Sequence, residues 1–139
     1  MAIDLSSDFG GRVANRLRDE QIVWLTTTSA DGMPQPNPVW FLWNGEQVLI
    51  FSQPNQAKLR NIRRTPRVSL NFNSSDQGGD IAVITGSAVF DPGGPTDAER
   101  SDYQVKYAEG IKSIGLTPES MLQTYSELIR VTPEKLRGF

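Results

Sequence analysis

"QIVWLTTTSADGMPQPNPVWFLWNGEQVLIFSQ", residues 21–53, holds three runs of β-branched and aromatic residues separated by Asp31-Gly32 and Asn44-Gly45. Asp-Gly and Asn-Gly supply the positive φ angles that tight hairpin turns require, so the stretch reads as antiparallel strands over about 21–28, 36–43 and 47–52. Further on, "RVSLNFN" (67–73) and "DIAVITGSAVFD" (80–91) flank the polar loop "SSDQGGD", and "ELIRVTP" (127–133) makes a sixth strand before the tail "EKLRGF". Helical spacing fills the gaps. Phe9, Val13 and Leu17 recur every four residues behind Ser6 or Ser7, which predicts a helix over 7–19. In "NQAKLRNIRR" (55–64), Asn55 reads as the cap and Leu59 and Ile62 as the inward pair, and Thr65-Pro66 stops the helix. After the breaker "DPGGPT", a helix is predicted over 96–112, carrying Tyr103, Tyr107 and Ile111. A shorter one follows in "TPESMLQTYS", with Thr117 as its cap and Pro118 at its first position. The expectation is a mainly β fold: a small six-stranded antiparallel barrel, closed, with helices packed outside, forming one domain over 1–139.

Strand 36–43 is apolar on both faces, with Val39, Phe41 and Trp43 on one and Trp40 and Leu42 on the other. One face fills the barrel, and the other is covered either by the protein's own helices or by a second copy in a homodimer. Pro36 and Pro38 cannot donate to a ladder, which predicts an edge or an interruption with neighbouring amides free for a ligand.

Composition narrows the chemistry. A net charge of −2 with no His and no Cys argues against general nucleic-acid binding, thiol catalysis and a histidine-based metal or acid–base centre. The opening residues lack a charged segment followed by an apolar one, and no apolar run approaches a membrane span, which predicts a cytoplasmic protein with no membrane partner. Against this acidic background Lys58, Arg60, Arg63, Arg64 and Arg67 fall within ten positions, with no Asp or Glu between Glu46 and Asp76. Such a cluster, following a strand end and opening a helix, is suited to an anion.

The order and spacing of "DGMPQPNPVWF", "FSQP" and "AKLRNIRRTPRVSL", with "GGDIAVITGSAVFD" after them, resemble the pyridoxamine 5′-phosphate oxidase-like, FMN-binding split-barrel superfamily. Within it the chain is most similar to the deazaflavin (coenzyme F420)-dependent reductases. The resemblance implies a homodimer with cofactor sites at the subunit interface and hydride transfer from reduced deazaflavin to a small electron-poor acceptor. It also implies a cofactor phosphate held by Ser52 and Lys58, with Arg60 near the anionic tail. The backbone of Asn37, Pro38, Val39 and Trp40 would lie along the ring, and Gln56, Ala57 and Asn61 would flank the phosphate grip. The loop carrying Gly78, Gly79 and Asp80 would approach the ring from the same or the other subunit. FMN relatives have an Arg-Lys pair where this chain has Ala57-Lys58, which favours a singly charged phosphodiester over a dianionic monoester. An FMN flavoprotein and a non-catalytic cofactor binder stay open as alternatives. No metal is implied, and no side chain is singled out as the proton donor.

Overall fold

Residues 3–139 are described by the computed structural model. The chain runs α1 (Asp8–Asp19), β1 (Ile22–Thr28), β2 (Pro34–Trp40), β3 (Leu42–Trp43), β4 (Val48–Ser52), α2 (Ala57–Arg64), β5 (Arg67–Asn71), β6 (Ala82–Phe90), α3 (Asp97–Lys106), α4 (Ala108–Ser113), α5 (Pro118–Thr124) and β7 (Glu127–Gly138). Both hairpin dipeptides turn as their chemistry requires, with Gly32 at φ 86° and Gly45 at φ 97°. The strands join one antiparallel sheet in the order β2-β1-β5-β6-β7-β4-β3. Because β2 and β3 are consecutive in the chain yet stand at opposite edges, the sheet must curl around on itself. It does not close by hydrogen bonding, so the fold is an open, split barrel.

Seven strands form where six are expected, because Phe41 leaves the ladder. Its N–H donates to the Tyr107 hydroxyl at 2.8 Å, and its carbonyl accepts from Lys106 Nζ at 3.0 Å. With its polar groups spent on a helix, this fully buried residue splits the predicted strand 36–43 into β2 and β3. Two other boundaries shift: β7 continues through the supposed tail to pair Leu136 with Ile84, and the helix over 96–112 breaks at Tyr107 into α3 and α4.

β2 stands at the sheet edge, one of the two outcomes its prolines predict, and is not interrupted by them. It pairs with β1 from Pro34 to Trp40. Pro34, Pro36 and Pro38 occupy alternate positions, so in a ladder that forms at all their missing N–H groups fall on the open edge. That edge therefore offers carbonyl acceptors at these positions and no amides. It is poorly suited to recruiting a further strand.

Two apolar clusters use the two faces of the sheet. Inside, Leu25, Ile50, Leu70, Ile84 and Ile129 meet Val13 and Leu17 of α1 and Leu59 and Ile62 of α2. Outside, Leu42, Leu49, Phe51 and Leu128 meet Tyr103, Tyr107, Ile111 and Met121 from the three C-terminal helices. β4 serves both clusters, Val48 and Ile50 on one side and Leu49 and Phe51 on the other, which is why these four residues are buried. The second apolar face of 36–43 is accordingly covered from within the chain: Trp40 stacks on Tyr107 at 4.6 Å and 8°, and Leu42 joins the outer cluster.

Tyr107 pins this arrangement. Its hydroxyl accepts from Phe41 N–H and lies 2.7 Å from the carbonyls of both Phe41 and Gln21, to one of which it donates at a time. Tyr107→Phe strands the buried Phe41 N–H and is expected to lower stability by about 1–3 kcal/mol, read as a reduced urea midpoint at unchanged slope.

Candidate functional site

The basic segment after β4 is sorted by the fold. Arg67 pairs with Glu134 at 3.3 Å, Arg63 lies over the Phe90 ring at 4.7 Å, and Arg64 donates to Asn61 Oδ1 at 3.0 Å. Arg60 is exposed and reaches only the Asn55 carbonyl, at 3.3 Å. Lys58 differs from all four. It is half-buried in the first turn of α2 and, among the described residues, forms no ion pair or hydrogen bond. Burial alone holds its ammonium below the usual lysine value. A cation that has lost part of its hydration without gaining a partner is arranged to take an anion.

The start of α2 adds to this. Asn55 is not the cap: it sits at φ 65°, and Gln56 occupies the N-cap position without a side-chain hydrogen bond. The first turn contains no acidic residue. Uncapped first-turn amides beside an unpaired ammonium make a donor set with the chemistry of a phosphate grip.

Lys58 opens on a cavity of about 230 Å³. Pro38, Val39 and Trp40 of β2 form one side, so the structure brings four of the expected site residues to one place. The others are distributed. Gln56 and Ala57 are exposed at the helix start beside Lys58, and Asn37 is exposed on β2. Ser52 ends β4 as expected but is 1% exposed, and its hydroxyl donates to the Gln53 carbonyl at 2.8 Å. Asn61 is committed internally: its amide donates to Thr27 Oγ1 and Gln35 Oε1 at 3.0 and 2.9 Å, tying α2 to β1 and β2.

Gly79 and Asp80 are not brought to the cavity within one chain. Gly79 N–H donates to Ser75 Oγ, and Arg16 of α1 donates to the Asp80 carbonyl at 2.8 Å and pairs with its carboxylate at 3.4 Å. Beside this loop, a polar hollow of about 390 Å³ lies between Ser69, Asn71, Asn73, Val83 and Arg137.

The remaining walls of the Lys58 cavity come from Phe51 and from the C-terminal helices: Tyr103, Ile114, Met121 and Tyr125. Sequence patterning places Tyr103 on an inward helix face, where an aromatic reads as core. It gives no sign that α3–α5 fold over the end of β4 and leave a space there. Among the described residues no cluster of carboxylates could hold a metal, and no helix is long and apolar enough to cross a membrane.

The sequence profile of pyridoxamine 5′-phosphate oxidase matches residues 9–139. Among solved structures, an F420 reductase is 25% identical with a TM-score of 0.65, over 88% of this chain and 94% of that one. A conserved hypothetical protein from Mycobacterium tuberculosis shares the fold at 18% identity and TM-score 0.71, over 94% and 82% of the two chains. The haem storage protein HutZ from Vibrio cholerae shares it at 17% identity and TM-score 0.61, over 98% and 95%. No curated protein sequence matches. A profile match over nearly the whole chain, on a split barrel with flanking helices, places the chain in the pyridoxamine 5′-phosphate oxidase family.

Proposed function

We propose that the chain is a reductase that binds coenzyme F420 through Lys58 and the start of α2 and passes a hydride to a small electron-poor organic acceptor. The observation that carries this reading is the half-buried Lys58 ammonium, without a counter-ion among the described residues, at an uncapped helix start and facing a cavity walled by β2. Family membership supports a flavin-type cofactor, and the 25% identical F420 reductase supports a deazaflavin. Charge supports it as well. One ammonium beside Ala57 balances a phosphodiester monoanion better than the dianionic monoester of FMN. The absence of His and Cys, common ligands of haem iron, favours this reading over haem storage.

The bound cofactor would supply the hydride chemistry. Lys58 and the first-turn amides would hold its phosphate, with Arg60 free at the surface for an anionic tail. The carbonyl edge of Pro34, Pro36 and Pro38 would accept from ring N–H groups, and the apolar walls would exclude water and orient the acceptor. The site reads as one half of a homodimer's. The loop of Gly79 and Asp80 stands away from its own chain's cavity, and the outer face of β1, β5 and β6 carries half-buried Ile22, Trp24 and Val83. A second copy on that face would bring the loop to a neighbouring site.

Titration of the protein with F420 and FMN side by side, followed by cofactor fluorescence, tests the reading. Saturable F420 binding that is tighter than FMN binding is expected. Tighter FMN binding would replace the deazaflavin with a flavin, and no binding of either would remove the proposal.

A further inference from the structure

Two tyrosines one helical turn apart on the C-terminal helices, with ring centroids 4.8 Å apart, differ in one respect. The Tyr107 hydroxyl accepts from the Phe41 N–H and donates its proton to the carbonyl of Phe41 or Gln21. Tyr103 is 1% exposed, and its hydroxyl has no hydrogen-bond partner among the described residues. Among the described residues no buried side-chain polar atom that is sealed from solvent lacks a partner, so the residual accessibility of Tyr103 includes its hydroxyl. Tyr103 is 1% exposed and lines the cavity, so the small opening left to its hydroxyl is assigned to that side. Burial keeps it well above the ordinary tyrosine value, so it is a neutral O–H donor. The Phe51 ring meets Tyr103 edge-on at 4.7 Å and fixes its position.

We propose that this chamber binds a neutral planar molecule, an aromatic ring bearing one carbonyl-type oxygen, with the oxygen accepting from the Tyr103 hydroxyl and the ring held among Trp40, Phe51, Ile114 and Met121. The volume fits this class. A dry apolar cavity of about 150 Å³ accommodates benzene, so about 230 Å³ leaves room for a ring and a substituent of a few atoms. The polarity at the Tyr103 hydroxyl fits too: a neutral donor suits a neutral acceptor, because a charge placed against it rather than against Lys58 would lose hydration without an opposite charge in return. Lys58 sits at the same cavity and is the group an anionic ligand would choose. If the cofactor reading above holds, the ligand of the chamber is the hydride acceptor; the binding site itself does not depend on that reading.

The test is calorimetric titration with acetophenone, with ethylbenzene as its counterpart lacking oxygen, and with benzoate, on the wild-type chain and on Tyr103→Phe, Lys58→Ala and Arg63→Ala. Acetophenone is expected to bind wild type more tightly than ethylbenzene, and Tyr103→Phe to weaken it about fivefold to tenfold while leaving ethylbenzene unchanged. Tyr103→Phe removes no internal hydrogen bond, so its thermal stability should match wild type, which separates a ligand contact from a structural one. Arg63→Ala, whose side chain lies over Phe90 and not at the cavity, should leave acetophenone binding intact. Equal loss of both neutral probes, failure of acetophenone to bind, or benzoate bound more tightly through Lys58 and indifferent to Tyr103 would each overturn the proposal. None of these outcomes bears on F420 binding, which is measured separately.

Discussion

Glu99→Ala is expected to destabilise the protein by about 3–5 kcal/mol. Glu99 is 8% exposed, and all its acceptor sites are in use. Arg130 grips it with both terminal nitrogens, Nη2 to Oε1 at 2.7 Å and Nη1 to Oε2 at 2.9 Å. Thr96 N–H donates to Oε1 and Asn44 Nδ2 to Oε2, each at 2.9 Å. Arg130 in turn donates through Nε to Asp91 Oδ2 at 2.8 Å. The network ties α3 to β7, to the β3–β4 turn and to the loop after β6, the attachments that hold the C-terminal helices over the cavity. Removing the carboxylate leaves the guanidinium largely buried with half its partners, which costs more than the net worth of the intact pair.

The same network sets an acid limit. The Arg130 guanidinium, followed by the Thr96 and Asn44 hydrogen bonds, holds Glu99 down to about 2, against an ordinary value of 4.5. A carboxylate lowered on folding stabilises fully above its unfolded value, and the contribution disappears as pH falls through the folded one. Here the window runs from about 4.5 to about 2, and the gap corresponds to roughly 3 kcal/mol at neutral pH. Denaturant unfolding at pH 7 and pH 3 should show the deficit of Glu99→Ala shrinking at the lower pH. A deficit independent of pH would mean that the pair contributes through packing alone.

Much of the fold was legible in hairpin chemistry, because Asp31-Gly32 and Asn44-Gly45 permit few alternatives between β-rich runs. The break at Phe41 was not, since it depends on a tyrosine hydroxyl 66 residues away. The doubled apolar pattern of 36–43 was also readable, but period alone cannot say what covers a face. Tyr107 and the outer cluster decide it in favour of the chain's own helices, so a dimer must be argued from other surfaces. At the site, the five clustered cations suggested an anion from sequence alone. Only tertiary partners separate Lys58 from Arg63, Arg64 and Arg67, and these come from Phe90, Asn61 and Glu134. Tyr103 was visible only as a core aromatic, because an unengaged hydroxyl leaves no trace in periodicity.

Lys58→Ala is the second large effect. On the proposed cofactor reading the substitution would remove one charge-assisted contact to phosphate, worth roughly 1.5–3 kcal/mol, and is expected to weaken F420 binding about ten- to hundredfold. Stability should hold or rise slightly, because the variant also removes a partly desolvated charge without a partner. Arg63→Ala should change affinity little, since Arg63 is engaged with Phe90. Salt gives an independent axis: a partly buried grip on one phosphate loses little affinity with ionic strength, whereas a diffuse basic surface loses much. The decisive measurement is the F420 dissociation constant for wild type, Lys58→Ala and Arg63→Ala at low and high salt. A large, salt-tolerant loss confined to Lys58→Ala is expected; equal losses in both variants, both erased by salt, would contradict a phosphate grip at Lys58.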